Sequence, residues 1–410
     1  MAYLIGANTV INNNTAIIHT SFELVPGTTQ STEVKIKASD GAAGDQFGYS
    51  VAVGSGRIVV GAFLDDDPAI DSGSAYIFDL NGTQLAKIKA SDGASDDRFG
   101  FSVAVGSGRI VVGATLDDDL GSGSGSAYIY NLNGTQLAKI KASDGAAVDN
   151  FGYSVAVGSG RIVVGSPYDD DLGSNSGSAY IFDLNGTQLA KIKASDGAAS
   201  DYFGASVAIG SGLIVVGAYG DDDLGSDFGS AYIFDLNGNQ LAKIKASDGA
   251  AGDAFGFSVA IGSGRIVVGA AYDDDLGSDS GSAYIFDLNG NQLAKIKASD
   301  GAVLDNFGLS VAVGSGRIVV GAYGDDDNGD RSGSTYIFDL NGNQLAKIKA
   351  SDGAATDFFG YCVAVGSGRI VVGAYGDNDN GTDSGSAYIY KLPETSDTYY
   401  ENVLDTFRYS

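Results

Sequence analysis

The sequence predicts an all-β protein, a seven-bladed β-propeller made of 52-residue, four-stranded blades. The first observation behind this prediction is a repeat: "KIKASDG" occurs seven times at a constant spacing of 52 residues, starting at Lys35, Lys87, Lys139, Lys191, Lys243, Lys295 and Lys347. The second is that each repeat contains four short runs of strand-forming residues separated by Gly-rich turns. Four strands and a period of about 40–50 residues are typical of a propeller blade.

The strands can be assigned within one unit, residues 47–98. "YSVAVG" and "RIVVGA" flank a Gly-Ser-Gly turn, which predicts a hairpin. "SAYIFDL" is a third strand rich in Tyr, Ile and Phe, and an Asn-Gly turn leads to the fourth strand, "QLAKIKA". We expect Lys35, Lys37 and their equivalents to lie on the outermost strand of each blade, where lysines protect a sheet edge from pairing with another chain.

The last repeat has no fourth strand of its own. Its third strand ends at Tyr390, and no "QLAKIK" follows, whereas "TEVKIKA" near the N-terminus has no preceding strands. We therefore predict that this N-terminal strand completes the seventh blade and closes the ring, which makes residues near 34 and near 390 neighbours. The predicted organisation is an N-terminal attachment arm (1–31), the propeller (32–390) and a C-terminal tail (391–410).

Charge and composition exclude several functions. The net charge of −27 argues against nucleic acid and anionic membranes as partners. No apolar run is long enough for membrane insertion, and the N-terminus has no recognisable secretory signal. The only His is His19 and the only Cys is Cys362, so we expect no Ser-His, Cys-His or His-based metal site in the propeller. Because every blade repeats the same carboxylates, no single hydrolytic site stands out, and we expect a protein that is not an enzyme.

Acidic runs follow the second strand of every blade. Oxygen-rich loops suit Ca²⁺, so calcium is a possible cofactor, and no other cofactor is indicated. The candidate ligands are the outer members of each run: Asp65, Asp67, Asp117, Asp119, Asp169, Asp171, Asp221, Asp223, Asp273, Asp275, Asp325, Asp327, Asp377 and Asp379. The alternative is that these residues cap turns and solvate the surface, since consecutive Asp residues lack the alternating spacing that points carboxylates inward.

Strand order predicts that one face of the disc carries only tight turns and the other all the long loops. Sequence differences between the repeats are concentrated in those long loops, where binding residues are commonly placed. The alternatives are that the loops vary because nothing constrains them, and that the aromatic residues pack between blades. We expect ligand contacts from the aromatic residues of this face: Tyr202, Phe228, Phe358, Tyr168, Tyr219, Tyr272, Tyr323 and Tyr375.

The recurring residues "FGYSVAV…IVVGA…DDD…GSGSAYIY" resemble the FG-GAP repeat of integrin α-subunit propellers and related bacterial proteins, over about 355 of the 410 residues. The resemblance implies a seven-bladed propeller with a role in adhesion or ligand binding. It also implies a calcium loop between the first two strands. That calcium site does not carry over, because the corresponding hairpin is only Gly54, Ser55 and Gly56.

The N-terminal segment "YLIGANTVINNNTAII" resembles the short N-terminal segments of phage tail and fibre proteins, notably those of cyanophages. This resemblance implies a virion or extracellular protein that contacts a host surface glycan or protein. Residues 1–31 and 391–410 would then attach it to other virion proteins or to copies of itself. Two alternatives are open: a structural or decoration protein of a virion, and a cellular FG-GAP calcium-binding surface adhesin.

Overall fold

The computed structural model describes residues 33–223 and 225–392, together with the backbone of strands β1 (Tyr3–Leu4), β2 (Thr9–Asn12) and β3 (Thr15–Ile18), which pair as a small antiparallel sheet. The rest of the predicted attachment arm, and the tail beyond residue 392, lie outside the described residues. The attachment role of both segments stays a prediction. No helix in the described part of the chain has the length and apolar character needed to cross a membrane.

The other strands form seven four-stranded antiparallel sheets. The first three blades consist of β5 (Ser50–Gly54), β6 (Arg57–Ala62), β7 (Ser74–Phe78), β8 (Gln84–Ile88); β9 (Phe99–Gly106), β10 (Arg109–Ala114), β11 (Ser126–Asn131), β12 (Gln136–Ile140); and β13 (Ser154–Gly158), β14 (Arg161–Ser166), β15 (Ser178–Asp183), β16 (Gln188–Ile192).

The next three blades follow the same order: β17 (Ser206–Gly210), β18 (Leu213–Ala218), β19 (Ser230–Asp235), β20 (Gln240–Ile244); β21 (Ser258–Gly262), β22 (Arg265–Ala270), β23 (Ser282–Phe286), β24 (Gln292–Ile296); and β25 (Val311–Gly314), β26 (Arg317–Ala322), β27 (Ser334–Phe338), β28 (Gln344–Ile348). The seventh blade contains β29 (Val363–Gly366), β30 (Arg369–Ala374), β31 (Ser386–Lys391) and the N-terminal strand β4 (Val34–Ile36).

The prediction of an all-β, seven-bladed propeller with four antiparallel strands per blade is therefore confirmed. In the seventh blade, β4 lies antiparallel to β31, with Ala387 opposite Ile36, Tyr388 opposite Lys35 and Ile389 opposite Val34. This is the register that β8 has with β7 in the first blade, where Tyr76 is opposite Lys87. That the ring depends on β4 for its stability stays a prediction, which a truncation tests below.

The hydrophobic core consists of seven separate layers, one at each contact between adjacent blades, here called a seam. At the seam between blades seven and one, Ile36 and Ile389 pack with Phe47 and Tyr76 in one buried cluster. The Phe47 ring is fully buried and meets Tyr76 edge to face, with 5.4 Å between ring centroids. Burying one such ring stabilises the fold by about 2–3 kcal/mol, so the repeated Phe is the main anchor of each seam.

The glycine that follows each buried Phe allows adjacent blades to approach closely. Gly48 has a φ of 96°, and a Cβ there would lie 2.2 Å from the carbonyl oxygen of Ser386 in the neighbouring blade. Gly61, at the end of the second strand, faces the Gly100 carbonyl oxygen of the next blade, 2.0 Å from an ideal Cβ. Only glycine fits both positions, which explains in physical terms why Phe-Gly, and a glycine at the end of the second strand, recur in every repeat.

Strand direction gives the disc two different faces. The turn face carries the Gly-Ser-Gly turns between first and second strands and the turns between third and fourth strands. The loop face carries the long loops between second and third strands and the connectors between blades. Both ends of the propeller lie at the turn face: β4 is entered there from Glu33, and the backbone N–H of Leu392 donates to Gly368 of a Gly-Ser-Gly turn at 2.9 Å.

Candidate binding face

Backbone hydrogen bonds hold the long loops of the loop face rigidly together at the seams. Between blades one and two, Asp96 N–H donates to the Ile70 carbonyl at 2.9 Å, and Phe99 N–H donates to Ser72 at 2.9 Å. A third bond lies between these two, and equivalent sets of three occur at all seven seams. The loops that vary most in sequence therefore have a fixed backbone.

The first Asp of each acidic run is buried and accepts several hydrogen bonds. Asp65 is 3% exposed, and its carboxylate accepts bonds from the hydroxyls of Ser74 at 3.1 Å and Tyr76 at 2.9 Å. Its Oδ1 also accepts the backbone N–H of Asp67 at 3.0 Å. This Asp therefore organises the start of its own loop.

A lysine from the fourth strand neutralises the acidic run. Lys87 Nζ lies 2.8 Å from Asp40, 3.0 Å from Asp65 and 3.3 Å from Asp67. Burial lowers the pKa of Lys87, but the hydrogen bonds to Asp40 and Asp65 outweigh burial and the pKa is raised overall, so the side chain stays charged. Asp40 belongs to the connector from the preceding blade, so each cluster also joins two blades. The same cluster forms around Lys35, Lys139, Lys191, Lys243, Lys295 and Lys347.

These contacts correct the expected role of the lysines. The first lysine of each "KIK" does not point into solvent to protect a strand edge; its side chain is only 14–17% exposed and lies among the carboxylates. The second lysine, such as Lys89, is more exposed and binds the third Asp of the run, Asp67, at 2.7 Å. Both lysines are thus counter-ions of the acidic loop.

Calcium binding by the carboxylates of the acidic runs stays a prediction. Among the described residues, two groups of carboxylates have the spacing to share one ion, namely Asp196, Asp221 and Asp223 at one acidic cluster and Asp352, Asp377 and Asp379 at another. In both groups a single lysine Nζ already contacts all three carboxylates. A cation at these positions would have to displace that ammonium group, whose charge already balances part of the cluster.

The middle Asp of each run has a structural role as well. Asp66 is exposed, and its Oδ1 accepts the backbone N–H of Asp71 at 3.0 Å across the loop. In the seventh blade the side-chain oxygen of Asn378 accepts the backbone N–H of Asp383 at 2.8 Å. This position of the loop therefore requires an oxygen acceptor but not a negative charge. The three acidic positions therefore serve the fold in three different ways.

A further set of buried carboxylates precedes each Phe-Gly. Asp45 is 5% exposed and accepts the backbone N–H of Ala42 at 2.7 Å. Burial raises the pKa of this carboxyl to about 6, and the hydrogen bond from Ala42 opposes that effect only in part. The same shift, to about 6, holds for Asp97, Asp149, Asp201, Asp253, Asp305 and Asp357.

Seven of the eight predicted aromatic contacts are partly exposed on the loop face. Tyr202 stacks on Tyr219 with 5.0 Å between centroids, and Phe358 stacks on Tyr375 at the same distance. Tyr168 meets Tyr202 edge to face. The partly exposed members are Tyr168, Tyr202, Tyr219, Tyr272, Tyr323, Phe358 and Tyr375. Their use in ligand binding stays a prediction.

Phe228 is the exception, and the prediction that it contacts a ligand is wrong. Its side chain is 3% exposed and lies over Gly249, where an added Cβ would be 2.6 Å from the ring. At three other seams the equivalent glycine is covered by a leucine, for example Leu120 over Gly145. Phe228 thus fills an apolar gap in the scaffold and offers no surface to a ligand.

Sequence reasoning missed an aromatic collar around the axis. In six of the seven repeats the residue after Phe-Gly lines the central opening on the loop face, where Tyr49 and Tyr361 share a hydrogen bond of 3.2 Å between their hydroxyls. The collar surrounds a cavity of about 240 Å³. The collar residues that line this cavity are Tyr49, Phe101, Tyr153, Phe257, Leu309 and Tyr361. Below it, the channel is lined by the Val-Ala-Val and Val-Ala-Ile segments of the inner strands. The signal was present, because an aromatic residue follows Phe-Gly in five of the seven repeats.

The lone thiol in this region is not activated. Cys362 Sγ accepts the backbone N–H of Val51 at 3.4 Å, and burial raises the pKa of the thiol, which keeps it protonated. The other unusual residue for catalysis, His19, lies outside the described residues. Nothing in the described part of the loop face singles out one blade for chemistry, and the absence of enzymatic activity stays a prediction.

Comparison with known proteins agrees with the geometry. A family model described as FG-GAP repeat matches seven segments, residues 31–78, 83–130, 135–182, 187–234, 239–286, 291–338 and 343–390. A comparison with curated proteins returns no match. The FG-GAP β-propeller is typically a non-enzymatic binding fold. The segments cover most of the chain and coincide with the repeats that supply the blades, so the protein belongs to the FG-GAP repeat family.

Proposed function

We propose that this protein is an adhesion or receptor-binding component of a phage virion, such as a tail fibre, and that it contacts a host surface ligand with its loop face. The coarser part, a fold consistent with binding or adhesion, follows from family membership. The virion placement and the extracellular location rest on the resemblance of the N-terminal segment to phage tail proteins.

One observation carries the choice of the loop face. The residue before each Phe-Gly has nearly the same backbone conformation in all seven blades, with φ between 52° and 59°. The side chain at this position nevertheless differs widely among blades: Gln46, Arg98, Asn150, Tyr202, Ala254, Asn306 and Phe358. A fixed backbone that presents different side chains is the arrangement of a binding surface on a rigid scaffold.

The position of the chain ends supports this choice. Glu33 and Leu392 both lie at the turn face. A protein attached through the segments beyond them presents its loop face outward, away from the attachment point. The proposed partners are therefore a host glycan or protein at the loop face and a virion protein, or another copy of this chain, at the turn face.

Direct binding tests the proposal. Fluorescently labelled protein is incubated with a panel of cyanobacterial cells and, separately, with a glycan array. We expect saturable binding that the double variant Tyr202→Ala, Tyr219→Ala weakens at least about tenfold, as loss of central aromatic contacts does at interfaces. The control Arg265→Leu changes the turn face to a residue that blade four already carries, Leu213, and keeps binding.

Three results would contradict the proposal in different ways. If Arg265→Leu lost binding and the Tyr202, Tyr219 variant kept it, the ligand would bind the turn face and not the loop face. Presence of the protein in purified particles, shown by immunogold labelling, without binding to any cell or glycan would favour the structural or decoration role. Its presence on a cell surface instead of on particles would favour the cellular adhesin.

A further inference from the structure

We infer that the loop face has a dedicated protein-docking site at the seam between blades five and six, which takes an apolar side chain flanked by basic residues. This inference rests on the proposed function and deepens it by naming the place and the partner's chemistry. The site consists of Leu276, Val303 and Leu304, here called the seam five–six patch.

The patch is contiguous and exposed. Leu276 is 42% exposed, Val303 56% and Leu304 49%. Leu276 lies over Gly301 of the connector, and Val303 lies over Gly277 of the facing loop, so the two side chains cross the seam in opposite directions. Exposed aliphatic side chains that cluster in this way are uncommon on a soluble monomer unless a partner covers them.

The backbone beneath the patch is fixed in advance. Leu304 N–H donates to the Ser278 carbonyl at 2.8 Å, and Asn306 N–H donates to Asp279 at 3.0 Å. Because the loops are already ordered, a partner loses little affinity to ordering them.

The other repeats show that the scaffold does not need these residues. The equivalents of Val303 are Ala or Ser in the other six repeats, and the equivalents of Leu304 include Gly44 and Gly252. Leu304 has a φ of 67°, a left-handed conformation that disfavours a bulky side chain and suits glycine. Two other seams have glycine here, and the remaining four have Asp96, Val148, Ser200 and Thr356 in the same left-handed conformation, so the fold itself does not require an exposed leucine at this position.

Charge around the patch selects the partner. Asp274 is exposed beside it, and Asp279 lies on the same loop, whereas the charge of Asp300 is already balanced by Lys347. A second copy of this chain would bring its own negative loop face against these carboxylates, since the net charge is −27. Sugars stack on aromatic rings, whereas this patch is aliphatic. The complementary partner is therefore a protein segment with a central aliphatic or aromatic residue and neighbouring Lys or Arg.

The test uses a random twelve-residue peptide library, displayed on yeast, selected against the immobilised full-length protein. The key variant is Val303→Ala with Leu304→Gly, which restores the Ala-Gly pair found at residues 43–44 and 251–252. The matched control is Thr356→Gly, which relieves the same left-handed conformation at the next seam, φ 65°, without touching the patch.

We expect enrichment of peptides that combine apolar residues with Lys or Arg. The double variant should weaken them at least about tenfold while its melting temperature stays equal or rises. Thr356→Gly should leave peptide affinity within twofold. Enriched peptides that bind the double variant equally well, or no enrichment at all, would overturn the inference. Cell binding separates this inference from the proposed function. If the Val303, Leu304 variant binds cells normally and the Tyr202, Tyr219 variant does not, the seam five–six site is wrong and the proposed function stands. If both variants bind cells normally, the proposed function is wrong as well.

Discussion

The loop face and the turn face belong to the same seven blades, yet they vary in different ways. On the turn face the Gly-Ser-Gly turn is present in every blade, and its serine has a φ between 48° and 52°. On the loop face the residue before Phe-Gly has an equally constant φ, between 52° and 59°, but its side chain changes from blade to blade. Sequence variation on the loop face therefore does not come from a loose backbone.

Deletion of β4 should have the largest effect on the free energy of unfolding, because the seventh blade then loses its fourth strand, which connects the two faces. We expect deletion of residues 1–38 to lower the free energy of unfolding by about 5 kcal/mol or more, since Ile36 and Ala38 are buried in the seam between blades seven and one. Chemical denaturation and light scattering measure the loss and the resulting aggregation. Deletion of residues 1–31, which leaves β4 in place, is the control; equal stability of the two truncated proteins would refute ring closure by this strand.

The buried ion pairs of the loop face provide the next test. Lys87→Met keeps the aliphatic stem but leaves Asp65 buried without its counter-ion, and should cost about 2–3 kcal/mol of unfolding free energy. Lys89→Met removes a more exposed lysine of the same strand and should cost less than about 1 kcal/mol. Similar losses in the two variants would show that the buried position of Lys87 has no special importance.

The seven carboxyls before Phe-Gly should make stability depend on pH. Their pKa is about 6 in the folded protein, against an ordinary value of 3.8, so between about pH 4 and 6 the folded state holds protons that the unfolded chain has lost. The free energy of unfolding should therefore fall as pH rises through this range. Below pH 4 the trend reverses: burial raises the pKa of Asp40, but bonds from Lys87 and Tyr76 outweigh it, so the pKa is lowered and acid breaks this stabilising pair.

Urea denaturation at pH 4.5 and 7 measures this dependence. Asp45→Asn removes one of the seven titrating groups and should reduce the difference between the two pH values. Asp66→Asn removes the same charge from an exposed position, where the seventh blade naturally has Asn378, and should change the difference less. Stability that rises from pH 4.5 to 7 would contradict the assignment.

The turn face should tolerate substitution better than the loop face. Arg57 Nε donates to the Leu132 carbonyl of the next blade at 3.2 Å, but blade four has Leu213 at the equivalent position. We expect Arg57→Leu to lower the free energy of unfolding by no more than about 1 kcal/mol, the usual value of one hydrogen bond, and to leave ligand binding unchanged. Thermal unfolding and cell binding check both parts; a loss of several kcal/mol would mean that the turn face, too, is constrained by its side chains.

Metal removal should have the smallest effect of all. Because a lysine Nζ already contacts the carboxylates of each acidic cluster, we expect the melting temperature to be the same in EDTA and in millimolar CaCl₂. A clear increase with calcium would revive the calcium site despite the lysines. Lys87→Met provides a comparison, since it frees Asp40, Asp65 and Asp67 for a cation.

The fold could be predicted because its determinants are local and repeated. Phe-Gly, Gly-Ala and the tight turns determine the backbone within a few residues of their own position. Their constant spacing of 52 residues defines the length of one blade. The acidic clusters could not be predicted, because Lys87 lies 22 residues from Asp65 and 47 residues from Asp40, and only the packing of two blades brings the three together. Phe228 was misplaced for a similar reason: the glycine that it covers, Gly249, belongs to the following connector.

The pairing of β4 with β31 also has a mechanical consequence. β4 is entered from the turn face, so under the proposed function a pull on the chain before Glu33 acts on β4 while a ligand holds the loop face. This load enters the ring through the pairing of β4 with β31. The described part of this pairing, with Ala387, Tyr388 and Ile389 opposite β4, is then the first in the ring to bear tension between the attachment point and the bound ligand.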